Sequence, residues 1–265
     1  MFTQLYNASD CFYHYYKRCL CRAKNLRRHN RMKKIVILTG AGISAESGLS
    51  TFRDNNGLWE NHRIEDVATP EAFSRNPELV YHFYNLRRKQ LHEENIVPNK
   101  AHLALVHLEE VYGDNLVIIT QNVDNLHETA GNQNIYHMHG ELNKARCNHC
   151  EHVSEWTASL DASSICPNCQ LKGYMRPHIV WFGEMPFYMD FIEEKLRNCN
   201  IFASIGTSGN VYPAAGFVEL AHYYNPKGHT IELNLEPSLT ASLFKETRHG
   251  KASDIVPLWV DEMLP

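Results

Sequence analysis

The clearest pattern in the chain is a nearly uninterrupted apolar run, Ile35-Val36-Ile37-Leu38-Thr39, which follows two lysines and stops at Gly40. A run with no polar alternation predicts a strand buried on both faces, as in a parallel sheet. Similar runs return at 116–120, 201–205 and 230–234. Between them, Leu103, Val106, Leu108 and Val111 recur at helical spacing over 101–112 and the pattern stops at Gly113. Further helices are expected over 188–197, after Pro213, and over 257–263. Strands alternating with crossover helices predict an α/β fold: a Rossmann-like, doubly wound parallel sheet. Two stretches break this rhythm. Residues 60–97 carry an inserted helical segment with a helix around 77–93, and residues 141–177 have the look of a small separate module.

The module's character comes from its cysteines. Cys11, Cys19 and Cys21 lie near the start and Cys199 stands alone before an apolar run, which makes it a core residue. Cys147, Cys150, Cys166 and Cys169 form two C-x2-C pairs with 15 residues between them. In a chain without a secretory signal, that spacing reads as one tetrahedral zinc site and not as two disulfides. Four thiolates leave no open coordination position, so the ion would hold structure and not activate water.

Charge adds a division that composition hides. The formal net charge is -4, yet residues 1–34 hold nine Lys and Arg against one acid, Asp10, while the remainder holds 17 against 29. Residues 1–32 are read as a basic, flexible and dispensable extension, since Met32 sits just before the first strand and would itself serve as a start. The segment lacks the long apolar stretch and small-residue cleavage site of a secretory signal. With 43% apolar and 21% charged residues the body is an ordinary globular one. No apolar run reaches the roughly 20 residues that span a bilayer, so no membrane partner is expected and the chain reads as cytoplasmic. A zinc-ribbon nucleic-acid binder is disfavoured, because in the cysteine region Lys144, Arg146, Lys172 and Arg176 are balanced by Glu141, Glu151, Glu155 and Asp161.

Three groups of residues carry chemistry. Gly40-Ala41-Gly42-Ile43-Ser44-Ala45 fits G-x-G-x-x-G/A directly after the first strand, where glycines let a backbone approach a pyrophosphate, or else form a tight structural turn. The sequence after it, Glu46 to Asp54, does not read as the long helix that ordinarily follows, and no acid ends a second strand about 20 residues on. That disfavours a hydride-transfer dehydrogenase. Next, Gln121, Asn122 and Asp124 follow a buried strand, placed for hydrogen bonds to an amide or ribose, or for a polar turn with Asp124 as a helix cap. Finally, His137 and His139 end a short apolar segment, and either could act as a general base near neutral pH.

Together these blocks resemble the sirtuin family of NAD-dependent protein lysine deacylases. The resemblance rests on Gly40-Ala41-Gly42-Ile43-Ser44 with Ser47-Gly48 and Phe52-Arg53, on the run 120–127, His139-Gly140, the four zinc cysteines, Gly206-Thr207-Ser208 and Asn234-Leu235-Glu236, in the family's order over roughly 33–260. It implies that residues 33–265 are the catalytic domain and that NAD is consumed as a co-substrate. The NAD contacts it implies are Gly40, Ala41, Gly42, Ser44, Ala45, Glu46, Phe52, Arg53, Trp59, Gln121, Asn122, Val123, Asp124, Gly206, Thr207, Ser208, Asn234, Leu235, Glu236 and Ala252.

It further implies that His139, which directly precedes the glycine, is the general base. The acyl oxygen of an acylated lysine would attack the nicotinamide ribose, and free lysine and O-acyl-ADP-ribose would follow. Val180, Trp181, Phe182 and Gly183 are similar to the segment that pairs with substrate backbone. In the bacterial class III branch a Tyr-x-x-Arg, here Tyr84 and Arg87, reads a carboxylate on the acyl chain, and Ala68 matches the small residue that widens the pocket. Independently of family, i and i+3 on a helix share a face, and a guanidinium with a phenol suits a carboxylate. The same residues, followed by Arg88 and Lys89, could equally form a solvated basic face. The expected partners are acylated-lysine proteins, and the expected state is a monomer. The alternatives are a mono-ADP-ribosyltransferase or a Rossmann oxidoreductase.

Overall fold

The computed structural model describes residues 32–49, 58–59 and 62–265. The expected extension over 1–32, Met32 apart, lies outside the described residues, as do Phe52 and Arg53. Residues Lys34–Pro265 form one compact unit. Its strands, in chain order, are β1 (Ile35–Thr39), β2 (Leu58–Trp59), β3 (His62–Arg63), β4 (Leu116–Thr120), β5 (Ile135–His137), β6 (Gly140–Cys147), β7 (Val153–Glu155), β8 (Met175–Ile179), β9 (Ile201–Ile205), β10 (His229–Asn234) and β11 (Glu246–His249).

Six of these build one parallel sheet in the order β11-β10-β9-β1-β4-β5. This is the doubly wound arrangement that the apolar runs predict: β1, β4 and β9 are buried at every residue. The order reverses between β1 and β9, which is where such sheets open a crevice at the strands' carboxyl ends. On one face, Ile192 and Leu196 of the helix Met189–Asn198, with Phe217, Val218 and Ala221 of the helix Phe217–Tyr224, pack on Val36, Leu38, Val117 and Phe202. Cys199 belongs to this core, and burial pushes its thiol up to about 11. Elsewhere the helices Lys100–Tyr112 and Ala252–Met263 pack together, and the Tyr112 hydroxyl donates to the Met263 carbonyl at 2.7 Å.

Two elements depart most from the sequence reading. The closing helix begins at Ala252, five residues before Pro257, and keeps that proline in its interior. Its first turn is held by Glu46, whose carboxylate accepts from Ser253 N at 2.9 Å and Ser253 Oγ at 2.8 Å. The sixth strand, β11, has no apolar signature. It is an edge strand of sequence Glu-Thr-Arg-His in which Arg248 pairs with Glu246 and Glu262, and charge suits an edge that must not recruit another strand.

The second lobe is small. The antiparallel strands β7-β6-β8 frame the cysteines, with Cys147 at the end of β6 and Cys150, Cys166 and Cys169 in the connections between strands, and the helices Ile64–Val67, Pro70–Arg75 and Pro77–Gln90 belong to the same lobe. Tyr81 packs with Cys147, Leu160, Cys166 and Met175, and its hydroxyl donates to the Met175 carbonyl at 2.7 Å. Pro77 opens the helix Pro77–Gln90, where the Asn76 side chain accepts from Leu79 N, as proline and asparagine at a helix start should.

The glycine turn after β1 does not become a long helix. It makes two single tight turns, Ala41–Ile43 and Ala45–Ser47. What holds it is backbone on backbone: Gly40 N donates to the Ile205 carbonyl at 3.0 Å and Gly42 N to the Gly206 carbonyl at 2.9 Å. A Cβ on Gly206, whose φ is +64°, would stand 2.4 Å from Ile43 N. Gly206→Ala is therefore expected to cost roughly 3 kcal/mol of stability, combining backbone strain with overpacking. Urea denaturation measures this, and a change under 1 kcal/mol would contradict the fit described.

Candidate active site

A cavity of about 630 Å³ opens at the carboxyl ends of β1, β4, β9 and β10 and runs to the small lobe. One wall holds Gly40, Ala41, Gly42, Ser44, Ala45 and Glu46, with Gly206, Thr207, Ser208, Asn234, Leu235 and Ala252. Gln121, Asn122, Val123, Asp124 and His139 lie at its middle. Ala68, Tyr84, Arg87 and the segment Val180, Trp181, Phe182 and Gly183 close the far end. The fold thus brings together residues scattered over more than 200 positions. Glu236 is exposed and does not line the cavity. Of Trp59 only the strand backbone is described.

The middle is a hydrogen-bonded knot. Asn122 Nδ2 donates to the Gly40 carbonyl at 3.2 Å and to Ser44 Oγ at 3.1 Å, while Ser44 Oγ donates to Asp124 Oδ2 at 3.0 Å. Asp124 Oδ1 accepts from Leu126 N at 3.1 Å, so the carboxylate also anchors the start of the short helix Leu126–Ala130. Burial raises the Asp124 carboxyl, against the pull of these donors.

The two candidate histidines separate. His137 has both ring nitrogens engaged, Nδ1 with the Asn122 carbonyl at 3.0 Å and Nε2 with Glu128 at 2.6 Å. Burial alone would lower it, but the Glu128 partner holds it above its ordinary value. His139 pairs Nδ1 with the Gln121 carbonyl at 3.1 Å and lines the cavity. That bond assigns the proton to Nδ1 and leaves Nε2 a neutral acceptor. Burial holds His139 below its ordinary pKa, so the basic form prevails at neutral pH.

The far end is braced from behind. Tyr84 is fully buried, which raises its phenol, and its hydroxyl accepts from Trp181 Nε1 at 2.9 Å. Arg176 lies 3.3 Å over the Trp181 ring and pairs with Glu184 at 2.7 Å, which Arg146 joins at 2.8 Å. Glu184 Oε2 in turn accepts from Trp181 N at 2.9 Å. Burial would raise the Glu184 carboxyl, yet Arg176 keeps it low. Val180 N donates to the His139 carbonyl and Phe182 N to the Ala68 carbonyl. Phe182 is left 44% exposed and Gly183 open to solvent at φ +93°, a surface where an extended peptide can lie.

The solvated-face alternative fails for Arg88, which is 1% exposed, while Lys89 does point to water. Sequence reasoning also missed Gln90 and Leu91, Asn210 and Tyr212, and Lys251, all of which line the cavity. The first two are i+3 and i+4 from Arg87, a helical signal. Asn210 and Tyr212 follow Gly209, at φ +73°, and continue the turn that begins at Gly206.

At the cysteine site, the four sulfurs lie within 4.8 Å of one another. Cys147 and Cys169 are 3.7 Å apart, as are Cys150 and Cys166. A tetrahedron with zinc–sulfur bonds of about 2.3 Å has edges of about 3.8 Å, so the set fits that ion. A backbone N–H of His152 and the Asn168 amide push the Cys150 thiol down to about 6, toward thiolate. Cys166→Ser is expected to lose the bound zinc and lower Tm by about 10 °C. Metal analysis with a thermal scan decides this, and a full equivalent of zinc in the variant would refute the ligand set.

A doubly wound sheet whose switch-point crevice faces a four-cysteine lobe defines the class: an α/β enzyme with a nucleotide cleft and an inserted zinc module. A family model described as "Sir2 family" matches residues 40–213, and the chain belongs to that family. It is 57% identical over 235 residues to the "NAD-dependent protein deacylase" of Yersinia pseudotuberculosis, covering 88% of this chain and 84% of that one. The protein of the same name from Pasteurella multocida is 56% identical over 231 residues, 87% of this chain and 98% of the other. A solved Sir2 homologue in complex with NAD superposes with a TM-score of 0.78 at 35% identity, over 91% of this chain and 93% of its own.

Proposed function

We propose that the chain is an NAD-dependent protein lysine deacylase that removes acetyl and acidic acyl groups of the succinyl and malonyl type. Its products would be nicotinamide, free lysine and O-acyl-ADP-ribose. The observation that carries this reading is one continuous cavity lined by the glycine turns Gly40 to Gly42 and Gly206, by Tyr84 and Arg87, and by His139, whose Nδ1 is bonded to the Gln121 carbonyl. Relatives 56% and 57% identical that bear the deacylase name support it.

When bound, NAD supplies the ADP-ribosyl group that accepts the acyl unit, with nicotinamide as leaving group. The chain's own residues orient and move protons. Gly40, Gly42, Thr207 and Ser208 meet phosphate and ribose, and Asn234, Leu235 and Ala252 meet the adenosine side. Asn122 and Asp124, locked to Ser44, hold the nicotinamide end, and such positioning contributes several kcal/mol. His139 Nε2 takes the proton of a ribose hydroxyl, and the Gln121 carbonyl, bonded to Nδ1–H, favours the imidazolium that results. Val180 to Gly183 pair with the substrate backbone, leading the acyl chain past Ala68 to Tyr84 and Arg87. Phe52, Arg53, Trp59 and Glu236 remain part of the proposed NAD contacts on the family resemblance alone. We also read the chain as a cytoplasmic monomer acting on acylated proteins, with residues 1–32 a dispensable extension to the catalytic domain. No helix among the described residues is long and apolar enough to cross a membrane.

His139→Phe is expected to lower deacylation about a thousandfold while zinc content and Tm stay near those of the unmodified protein. Because the histidine is held below its ordinary pKa, the acid limb of kcat/KM for the unmodified protein is expected below pH 6.5, with activity lost as pH falls and Nε2 is protonated. Turnover retained in the variant rules out this base.

Arg87→Met is expected to lower kcat/KM for succinyl-lysine peptides about a hundredfold and for acetyl-lysine peptides far less. Only the former leaves a buried carboxylate without its partner. Equal losses on the two substrates reject the acidic-acyl assignment.

A further inference from the structure

Arg88 presents an anomaly. It is among the largest fully buried side chains in the fold, and a buried cation ordinarily carries an acid, because desolvating an unpaired charge is costly. Arg176 follows that rule, neutralised by Glu184. Arg88 meets no carboxylate among the described residues. Nε donates to the Leu142 carbonyl at 2.7 Å, and Nη1 donates to Asn85 Oδ1 at 2.9 Å and to the Ala158 carbonyl at 3.4 Å. Nη2 is buried with no partner. Asn85 is fixed by the zinc lobe, since its Nδ2 donates to the Leu160 carbonyl and its Oδ1 accepts from Leu160 N, both at 2.8 Å. Among the described residues only neutral dipoles hold the charge, and although burial pushes the guanidinium down to about 10, it stays protonated at neutral pH.

The place of this charge matters. Leu142, whose carbonyl takes Nε, lines the acyl end of the cavity, as do Tyr84 one turn before Arg88 and Leu91 one turn after it. Arg88 does not line the cavity itself, but it bonds the main chain of Leu142, which does.

We propose that Arg88 determines acyl specificity through the cavity wall: its positive charge, which meets no carboxylate among the described residues and is held by Asn85 and the Leu142 and Ala158 carbonyls, is the counter-charge for acyl groups that end in a carboxylate. The proposal rests on the reading of the Tyr84–Arg87 end as the acyl site. A neutral acyl chain gains nothing from such a field. An anionic one supplies the partner that the fold withholds, and with little water between the charges the attraction is weakly screened. Arg87 lines the cavity and can touch the carboxylate, whereas Arg88 acts without contact.

The discriminating measurement is the ratio of kcat/KM for a succinyl-lysine peptide to that for its terminal amide, succinamyl-lysine, which has the same shape and no charge. Arg88→Met is expected to lower this ratio about tenfold, because a charge held in the interior is screened less than one in water. Arg88→Gln, which keeps a donor for Leu142 and removes the charge, gives the same fall. A ratio within about twofold of the unmodified protein's in either folded variant overturns the proposal, and so does an equal loss on both peptides, which marks a purely structural role. The unmodified protein supplies a further check. The ratio is expected to persist in about 1 M salt, where the Debye length is about 3 Å, and collapse there would assign selection to surface charge. Arg87→Met separates the two readings, since an unchanged ratio in that variant removes the acyl site itself.

Discussion

The site rests on a backbone contact that tolerates no side chain. Gly42 N meets the Gly206 carbonyl at 2.9 Å, and a Cβ on either glycine would stand within 3.0 Å of the other turn's main chain. This contact locks the turns after β1 and β9 together at the point where the sheet order reverses. It also leaves the cleft wall lined by bare backbone, the surface on which a phosphate can lie close to N–H groups. From there the site is assembled strand by strand. Gln121 N donates to the Thr39 carbonyl, the Gln121 carbonyl takes His139 Nδ1, and the His139 carbonyl takes Val180 N. Each segment inherits its position from the one before, so His139 and the segment from Val180 to Gly183 are set by the same register that sets the glycine-built wall.

What the sequence reveals follows from how local each constraint is. Strands buried on both faces leave unbroken apolar runs, so β1, β4 and β9 can be read with their boundaries. The zinc cysteines are equally legible because two C-x2-C knuckles encode half of the ligand geometry within four residues each. β11 is not, because an edge strand is chosen by its neighbour and not by its own composition. The closing helix reads five residues short for a similar reason. Its first turn is secured by Glu46, 207 positions before Ser253, while Pro257 mimics a helix start. The histidines show the same division. His137 and His139 are two residues apart on one segment, and only Glu128, reached through tertiary structure, identifies the former as the one already engaged.

Arg87 and Arg88 carry this furthest. They are adjacent and chemically identical in sequence, yet one lines a cavity and the other is sealed behind it. The difference is made by Leu142, Ala158 and Leu160, a strand and a loop of the cysteine lobe. Helical periodicity can show that positions 84, 87 and 91 share a face. It cannot show that position 88 will meet carbonyl groups in place of water, since those groups arrive from elements more than 50 residues away.

This places the cysteine lobe in a second role besides holding its own strands. Tyr81, Asn85 and Arg88 lie at i, i+4 and i+7 on the helix Pro77–Gln90 and bond to Met175, Leu160 and Leu142 respectively. One face of the helix is therefore fastened to the lobe, and the adjoining face presents Tyr84 and Arg87 to the cavity. A helix held by one neutral hydrogen bond could rotate cheaply, because each contributes only about 1 kcal/mol. Three along one face, one of them made by a charge that would otherwise be left bare in the interior, make rotation costly. Arg88 is then poorly explained as a stabilising device, since a buried unpaired cation is a net expense to folding. Among the described residues no carboxylate compensates it, and that is the property which the role proposed for it at the acyl end uses.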